Sequence, residues 1–249
     1  RLEYRGYDSA GLAVISPEGL VTHKVSGKLK RLCESIQDKR LEGEIGIGHT
    51  RWATHGEPSA RNAHPHTDCT HSIAVVHNGI IENYGRLRQA LTEKGHRFQS
   101  DTDTEGLAHL VEQYHLQEGY DLERAVRLTL RDIEGSYAFC VLSQKSPSHF
   151  VTARNGSPLI IGLGERENFV ASDAPAILDY TRDVIFLEDY QMAVVSRNGV
   201  KVTSARGDGV PNKVSRIDWD AKDASKEGFD HYMAKEIEEQ PRVLERIIR

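Results

Sequence analysis

The chain has 249 residues, 38% apolar and 28% charged, which is enough for one large domain or two small ones with a packed core and too apolar for a disordered chain. With 32 basic and 37 acidic side chains the formal charge is −5 and no basic stripe stands out, so no nucleic-acid partner is expected. No run approaches the roughly 18 uncharged apolar residues of a membrane span, Arg1, Glu3, Arg5 and Asp8 stand where a signal peptide would be apolar, and Cys33, Cys69 and Cys140 offer neither a disulfide framework nor a CxxC metal pair, so a reducing, cytoplasmic setting with no membrane partner is expected.

Residues 10–16 and 19–26 read as two strands joined at Pro17-Glu18-Gly19, which has hairpin chemistry. Leu29, Leu32, Cys33 and Ile36 fall on one face of a short helix, which predicts a buried Cys33. Ile45 and Ile47 alternate with Gly46 and Gly48 in a strand open to close backbone approach. Residues 73–76 read as a compact buried strand leading into His77-Asn78-Gly79. A helix over 83–94 places Tyr84, Leu87 and Leu91 together and stops at Gly95. Thr102-Asp103-Thr104-Glu105 has the form of a capping box for the next helix, and Asp121 can cap a third with Leu122, Ala125, Val126, Thr129, Leu130 and Ile133 inward.

From Tyr137 to about Val202 the short apolar runs predict strands, and strand-rich ends around a helical middle predict an α+β sandwich. Residues 205–230 read as a polar surface excursion or linker. Helical periodicity resumes after His231, with Pro241 expected to break or kink it. Val243, Leu244, Ile247 and Ile248 form an apolar stripe without a partner, and the sequence does not start with Met, so a longer gene product with a further domain is expected.

Six of the twelve histidines, His49, His55, His64, His66, His71 and His77, lie between 49 and 79. They can serve as loop hydrogen-bonding groups. His64-Pro65-His66 also looks like a ligand pair, but the segment has no Glu-x-x-His or cysteine ligands that would finish a shell, so no metal is expected. Arg51, between Thr50 and Thr54 in the segment 49–56, suits a carboxylate held bidentately, at about 1.5–3 kcal/mol per charge-assisted bond; a surface ion pair is the plainer reading. Asn78-Gly79 has two readings, a type I′ turn or an amide and a backbone N–H converging on one oxyanion. Asp103 is a helix-start carboxylate or a fixed anion for an ammonium group. Cys33 and Cys140 read as core, which leaves Cys69 as the one internal candidate nucleophile.

Together, LEYRGYDSAG at 2–11, HTRWATHGEPS at 49–59, NAHPH at 62–66, HNGIIEN at 77–83, SDTDTE at 100–105 and HYMAKEIEEQP at 231–241 resemble, in order and over essentially the whole chain, the glutaminase part of the glucosamine-6-phosphate synthase family of class II glutamine amidotransferases. The resemblance implies the N-terminal-nucleophile fold, an αββα sandwich of two stacked antiparallel sheets between helical layers. It implies glutamine as substrate, no cofactor, a sugar-isomerase domain in the same polypeptide, a homo-oligomeric full-length protein, and ammonia passed to fructose 6-phosphate.

Residue by residue, the resemblance implies that Asn78 and Gly79 form the oxyanion hole. Arg51 and Thr54 hold the glutamine carboxylate beside His55, and Asp103 holds its ammonium group. Trp52 gates the ammonia exit, His64 helps close the loop over glutamine, and Arg5 orients the nucleophile. That nucleophile is an N-terminal cysteine, whose α-amine is the base, one strand and one helix upstream of LEYRGYDSAG. The chain as written is therefore expected to lack turnover while keeping most of the pocket, with residues 1–230 as the glutaminase domain and 231–249 as the linker. Another class II amidotransferase, a non-catalytic glutamine-binding module and a histidine-metal hydrolase are the alternatives.

Overall fold

The computed structural model describes residues 1–39, 41–53, 56–219, 228–230 and 232–248. β1 (Ser9–Ser16) and β2 (Gly19–Ser26) form the expected hairpin, with Ser16 opposite Gly19. α1 (Leu29–Ile36) packs against both strands, and β3 (Ile45–Arg51) pairs with the far side of β1, placing Arg51 opposite Ser9. Then come β4 (His66–Thr67), β5 (Ile73–Ile81), α2 (Tyr84–Glu93), α3 (Thr104–Glu112) and α4 (Leu122–Asp132). The second half holds β6 (Gly135–Ser143), β7 (His149–Asn155), β8 (Ile160–Leu163), β9 (Asn168–Ala171) and β10 (Asp183–Phe186), followed by β11 (Gln191–Ser196), β12 (Gly199–Ser204), β13 (Val214–Arg216) and α5 (Tyr232–Ile248).

Three antiparallel sheets result, ordered β2-β1-β3, β13-β10-β8-β9 and β12-β11-β7-β6-β5-β4. The six-stranded sheet is apolar on both faces because alternate residues of a strand point opposite ways. Ile73, Val75, Phe139, Val141 and Met192 meet Leu87, Leu107, Val111 and Val126 of α2, α3 and α4. On the other face Ala74 and Leu142 meet Ala13 and Ile15 of β1, and Ala138, Ala193 and Val195 meet Ile161, Ile185 and Leu187. α1 lies outside the hairpin, and the segment around Ile177 and Leu178 lies outside the four-stranded sheet. This is the expected α+β sandwich, with one difference. The second β layer is two sheets, of three and four strands, rather than one.

Several local expectations change. Cys33 is exposed, because α1 buries Leu32 alone. β5 does not end before Asn78-Gly79 but runs to Ile81, paired throughout with β6, so the turn reading fails. The capping glutamate of α3 reaches Ser100 rather than Thr102: Glu105 accepts hydrogen bonds from the backbone N–H of Gln99 and Ser100 and from the Ser100 hydroxyl, at 2.6, 2.7 and 2.7 Å. The polar segment after 205 contributes β13 to the sheet edge through pairing with β10, and α5 continues through Pro241.

Two aspartates organise turns to different degrees. Asp121 caps α4 with one bond, from the Arg124 N–H at 2.7 Å. Asp68, almost fully buried, accepts from the backbone N–H groups of Thr70, Ser72 and Ile73 and from the hydroxyls of Thr70 and Ser72. Removing the Asp68 carboxylate strands several donors at once, so Asp68→Ala is expected to destabilise by about 3 kcal/mol against about 1 kcal/mol for Asp121→Ala. Urea unfolding checks the order, and equal losses would contradict it.

Candidate active site

A cavity of about 910 Å³ opens between the edge strands β3 and β9 of the two smaller sheets. Arg5, Arg51, Trp52, His64, Asn78, Gly79 and Asp103 all line it. Thr54 and His55 lie outside the described residues.

Arg51 arrives at the end of β3 and is buried. Its guanidinium faces Asp8 at 3.8 Å and donates to the carbonyls of Gly56 and Glu57 at 3.2 and 3.4 Å. Burial lowers its pKa, while Asp8 and Asp103 act to raise it. Asp8 also accepts from the Ala53 N–H and from the Ser9 hydroxyl, so it ties the turn before β1 to the loop after β3. Sequence reasoning missed Asp8. Its signal was present in the YRGYD segment, but nothing local says which cation it meets.

Asn78 and Gly79 sit on β5. The Nε2–H of His49 donates to Asn78 Oδ1 at 2.8 Å, which occupies the acceptor end of the amide and leaves its NH₂ as the free donor end. His49 was one of a cluster in the sequence; the structure makes it the group that orients Asn78. Gly79 has φ of +127°, and an added Cβ would lie 2.1 Å from the Ser136 carbonyl oxygen, so no other residue fits there without moving β6.

Three consecutive residues at the start of α3 bind the sheet. Thr102 Oγ1 meets His66 Nε2 at 2.9 Å, Asp103 Oδ2 accepts the Ile81 N–H at 2.8 Å, and Thr104 Oγ1 meets His77 Nδ1 at 2.9 Å. Asp103 is thereby buried and fixed on the backbone amide two residues beyond Gly79. His64 accepts the His77 N–H on Nδ1 at 3.4 Å and packs on His49 with ring centroids 4.3 Å apart. At the mouth, Trp52 is 61% exposed and leans on Tyr7, with centroids 5.4 Å apart. Arg5 is held at 3.2 Å by Asp173.

The three cysteines occupy different places. Cys140 lines the cavity from β6 and is buried, which pushes its thiol up to about 11. Cys33 is exposed. Cys69 lies outside the cavity lining, against His96 and His109.

Burial holds the cavity-lining histidines and their neighbour His66 neutral: His49 falls to about 4, His66 to about 3, His64 lies well below its usual value, and His77 is lowered too. The unfolded chain takes up protons on these rings near pH 6.5 while the folded chain does not. Their contribution to stability is therefore complete above about pH 6.5 and is lost as the pH falls toward 4, at up to about 1.4 kcal/mol per pH unit for each ring. His109, raised by Glu105 and Glu112, works in the opposite sense but is one ring against four, and Glu105, held at about 2, acts only below the ordinary carboxylate range. Urea unfolding at about pH 7.5 and about pH 5 is expected to give a lower unfolding free energy at the acid value. An unchanged or higher value would contradict neutral burial of these rings.

A family model described as a glutamine amidotransferase domain matches residues 49–179. The chain is 53% identical over 245 residues, 98% of its length, to the glutamine–fructose-6-phosphate aminotransferase (isomerizing) of Thermus thermophilus, and 50% identical over 254 residues to that of Aeropyrum pernix. It spans about 40% of the length of these relatives. Among solved structures, the glutamine phosphoribosylpyrophosphate amidotransferase of B. subtilis superposes with a TM-score of 0.69 at 27% identity, over 82% of this chain and 44% of that one. An allosteric regulatory enzyme of purine biosynthesis gives 0.67 at 28% identity, with the same coverage. The chain belongs to the glutamine amidotransferase domain family.

Proposed function

We propose that the cavity binds L-glutamine and that the chain is the glutaminase part of a protein that aminates fructose 6-phosphate to glucosamine 6-phosphate. One observation carries the first half of this reading. A buried guanidinium, a buried carboxylate and an Asn-Gly pair come from distant parts of the chain to one cavity. Arg51 takes the α-carboxylate and Asp103 the α-ammonium group, so two opposite charges fix a free amino acid end to end. The side-chain amide then reaches Asn78 and Gly79. The two donors, the Asn78 NH₂ and the Gly79 N–H, receive the oxygen that becomes negative when the amide carbon turns tetrahedral.

The chemistry is acyl transfer. A thiol attacks the amide carbon, its proton passes to a base and from the base to the amide nitrogen, the carbon–nitrogen bond breaks, and the nitrogen leaves as ammonia. Water then cleaves the thioester and releases glutamate. The thiol is that of the N-terminal cysteine implied by the resemblance, and Arg5 positions it. Thr54 and His55 complete the carboxylate pocket, His64 supports the loop over the substrate, and Trp52 gates the mouth through which ammonia passes.

Identity of 46–53% to glutamine–fructose-6-phosphate aminotransferases, against 27% to the phosphoribosylpyrophosphate amidotransferase of B. subtilis, favours the sugar acceptor. In this reading residues 1–230 are the glutaminase domain and 231–249 lead to a sugar-isomerase domain, in a cytoplasmic homo-oligomer.

In the full-length protein Asn78→Ala is expected to lower kcat for glutamate release by about 10²–10³-fold with little change in KM, because the oxyanion exists only at the transition state. Asp103→Asn is expected to act mainly through KM, because the ammonium charge is present in the ground state. Steady-state kinetics with glutamine test both. An Asn78→Ala enzyme of normal kcat would remove the oxyanion role. Ammonia transfer to phosphoribosylpyrophosphate but not to fructose 6-phosphate would overturn the acceptor.

A further inference from the structure

Behind the six-stranded sheet, outside the cavity lining, four side chains converge: Cys69, His96, His109 and Glu112. One ligand atom from each lies within 4.8 Å of the others. Cys69 Sγ is 3.9 Å from His96 Nδ1 and 3.7 Å from His109 Nδ1. Glu112 Oε2 is 2.8 Å from His96 Nδ1 and 2.9 Å from His109 Nδ1. His96, His109 and Glu112 are buried and Cys69 is partly buried. We propose that these four residues bind one divalent zinc ion, as a closed structural site.

The hydrogen-bond inventory around the rings calls for positive charge at their centre, which a metal ion supplies. Glu112 Oε2 faces both Nδ1 atoms, so without a cation both Nδ1 atoms must carry hydrogen. The far nitrogens also face oxygens. His96 Nε2 lies 3.2 Å from Gln113 Oε1. That amide is not reversed, because Gln113 Nε2 donates to Glu118 Oε1 at 3.1 Å. His109 Nε2 lies 3.7 Å from Glu105 Oε1, and Glu105 is already an acceptor for Gln99 and Ser100. A neutral imidazole has one hydrogen and cannot serve oxygens on both sides. A cation at the centre takes the Nδ1 lone pairs, lets the His96 Nε2–H donate to Gln113, and leaves the His109 Nε2–H toward Glu105, 3.7 Å away and beyond hydrogen-bond reach; an outer acceptor on the far nitrogen is typical of metal-bound histidines. Cys69 Sγ has its own outer donor, the Arg97 N–H at 3.3 Å.

The donor set selects the ion. One thiolate, two imidazoles and one carboxylate suit zinc and are a poor match for calcium or magnesium. Zinc bonds of about 2.3 Å to sulfur and about 2.0 Å to nitrogen give a tetrahedral edge of about 3.6 Å, close to both sulfur–nitrogen separations here. The Glu112 contacts need to open by about half an ångström to reach the same geometry. Zinc with a thiolate and a carboxylate is net neutral, which suits a buried site. Such an ion would clip the turn after β4 to the α2–α3 connection and to the body of α3, the helix whose first turn holds Asp103.

Zinc content by mass spectrometry and thermal unfolding of the protein purified without chelator test the proposal. The expected result is about one zinc per chain, a lower Tm after chelation that zinc restores, and, with Co²⁺ in its place, visible bands of a tetrahedral site together with a thiolate charge-transfer band. Cys69→Ala should lose the charge-transfer band and the chelator sensitivity, while Cys33→Ala should keep both. Protein that holds no zinc and gains no Tm when zinc is added would overturn the proposal. Zinc held equally by Cys69→Ala would also overturn it, whatever the stability of that variant.

Discussion

Three hydrogen bonds from the first turn of α3 to the six-stranded sheet hold the candidate site in one piece. Thr102 binds His66, Asp103 binds the Ile81 amide, and Thr104 binds His77. Ile81 ends the strand that carries Asn78 and Gly79, so the anion at the helix start and the Asn-Gly pair keep a fixed separation. A buried carboxylate is stable only when hydrogen-bonded or paired, and Asp103 has both the Ile81 amide and the field of Arg51. The same rule governs Arg51, whose charge is held by Asp8 and two loop carbonyls. Two opposite charges are therefore buried at one cavity before any ligand arrives.

Much of the scaffold was legible in the sequence because its cues are local. The first hairpin follows from a two-residue turn between alternating strands, and α4 from an aspartate cap and an apolar stripe. Cys33 was misread because an apolar spacing gives a face but not what covers it, and α1 is covered only at Leu32. Asn78-Gly79 carries a strong local turn signal, yet pairing with β6, more than fifty residues later, keeps it in a strand. Here tertiary pairing outweighs turn preference, at the place where Gly79 needs a positive φ and close backbone approach.

The candidate site itself was legible mainly through its motifs. Position along the chain could not say that Arg51, Asn78 and Asp103 share a cavity, nor that His49 fixes the Asn78 amide or that Asp8 faces Arg51. The Cys69 cluster was invisible for a related reason. The histidines next to Cys69 in sequence face elsewhere, while its spatial partners come from the α2–α3 connection and α3. One cue did exist, the His109 and Glu112 spacing of three on a helix, which puts both side chains on one face. Helix α3 therefore has two jobs, with its first turn at the cavity and its later turns at the cluster.

A crystal structure of the protein with L-glutamine bound would decide whether this cavity grips a free amino acid at both charged ends. The expected result is the α-carboxylate on Arg51, the α-ammonium group on Asp103 and the side-chain amide oxygen directed at Asn78 and Gly79. Glutamine bound with its two ends exchanged, or bound outside this cavity, would contradict it.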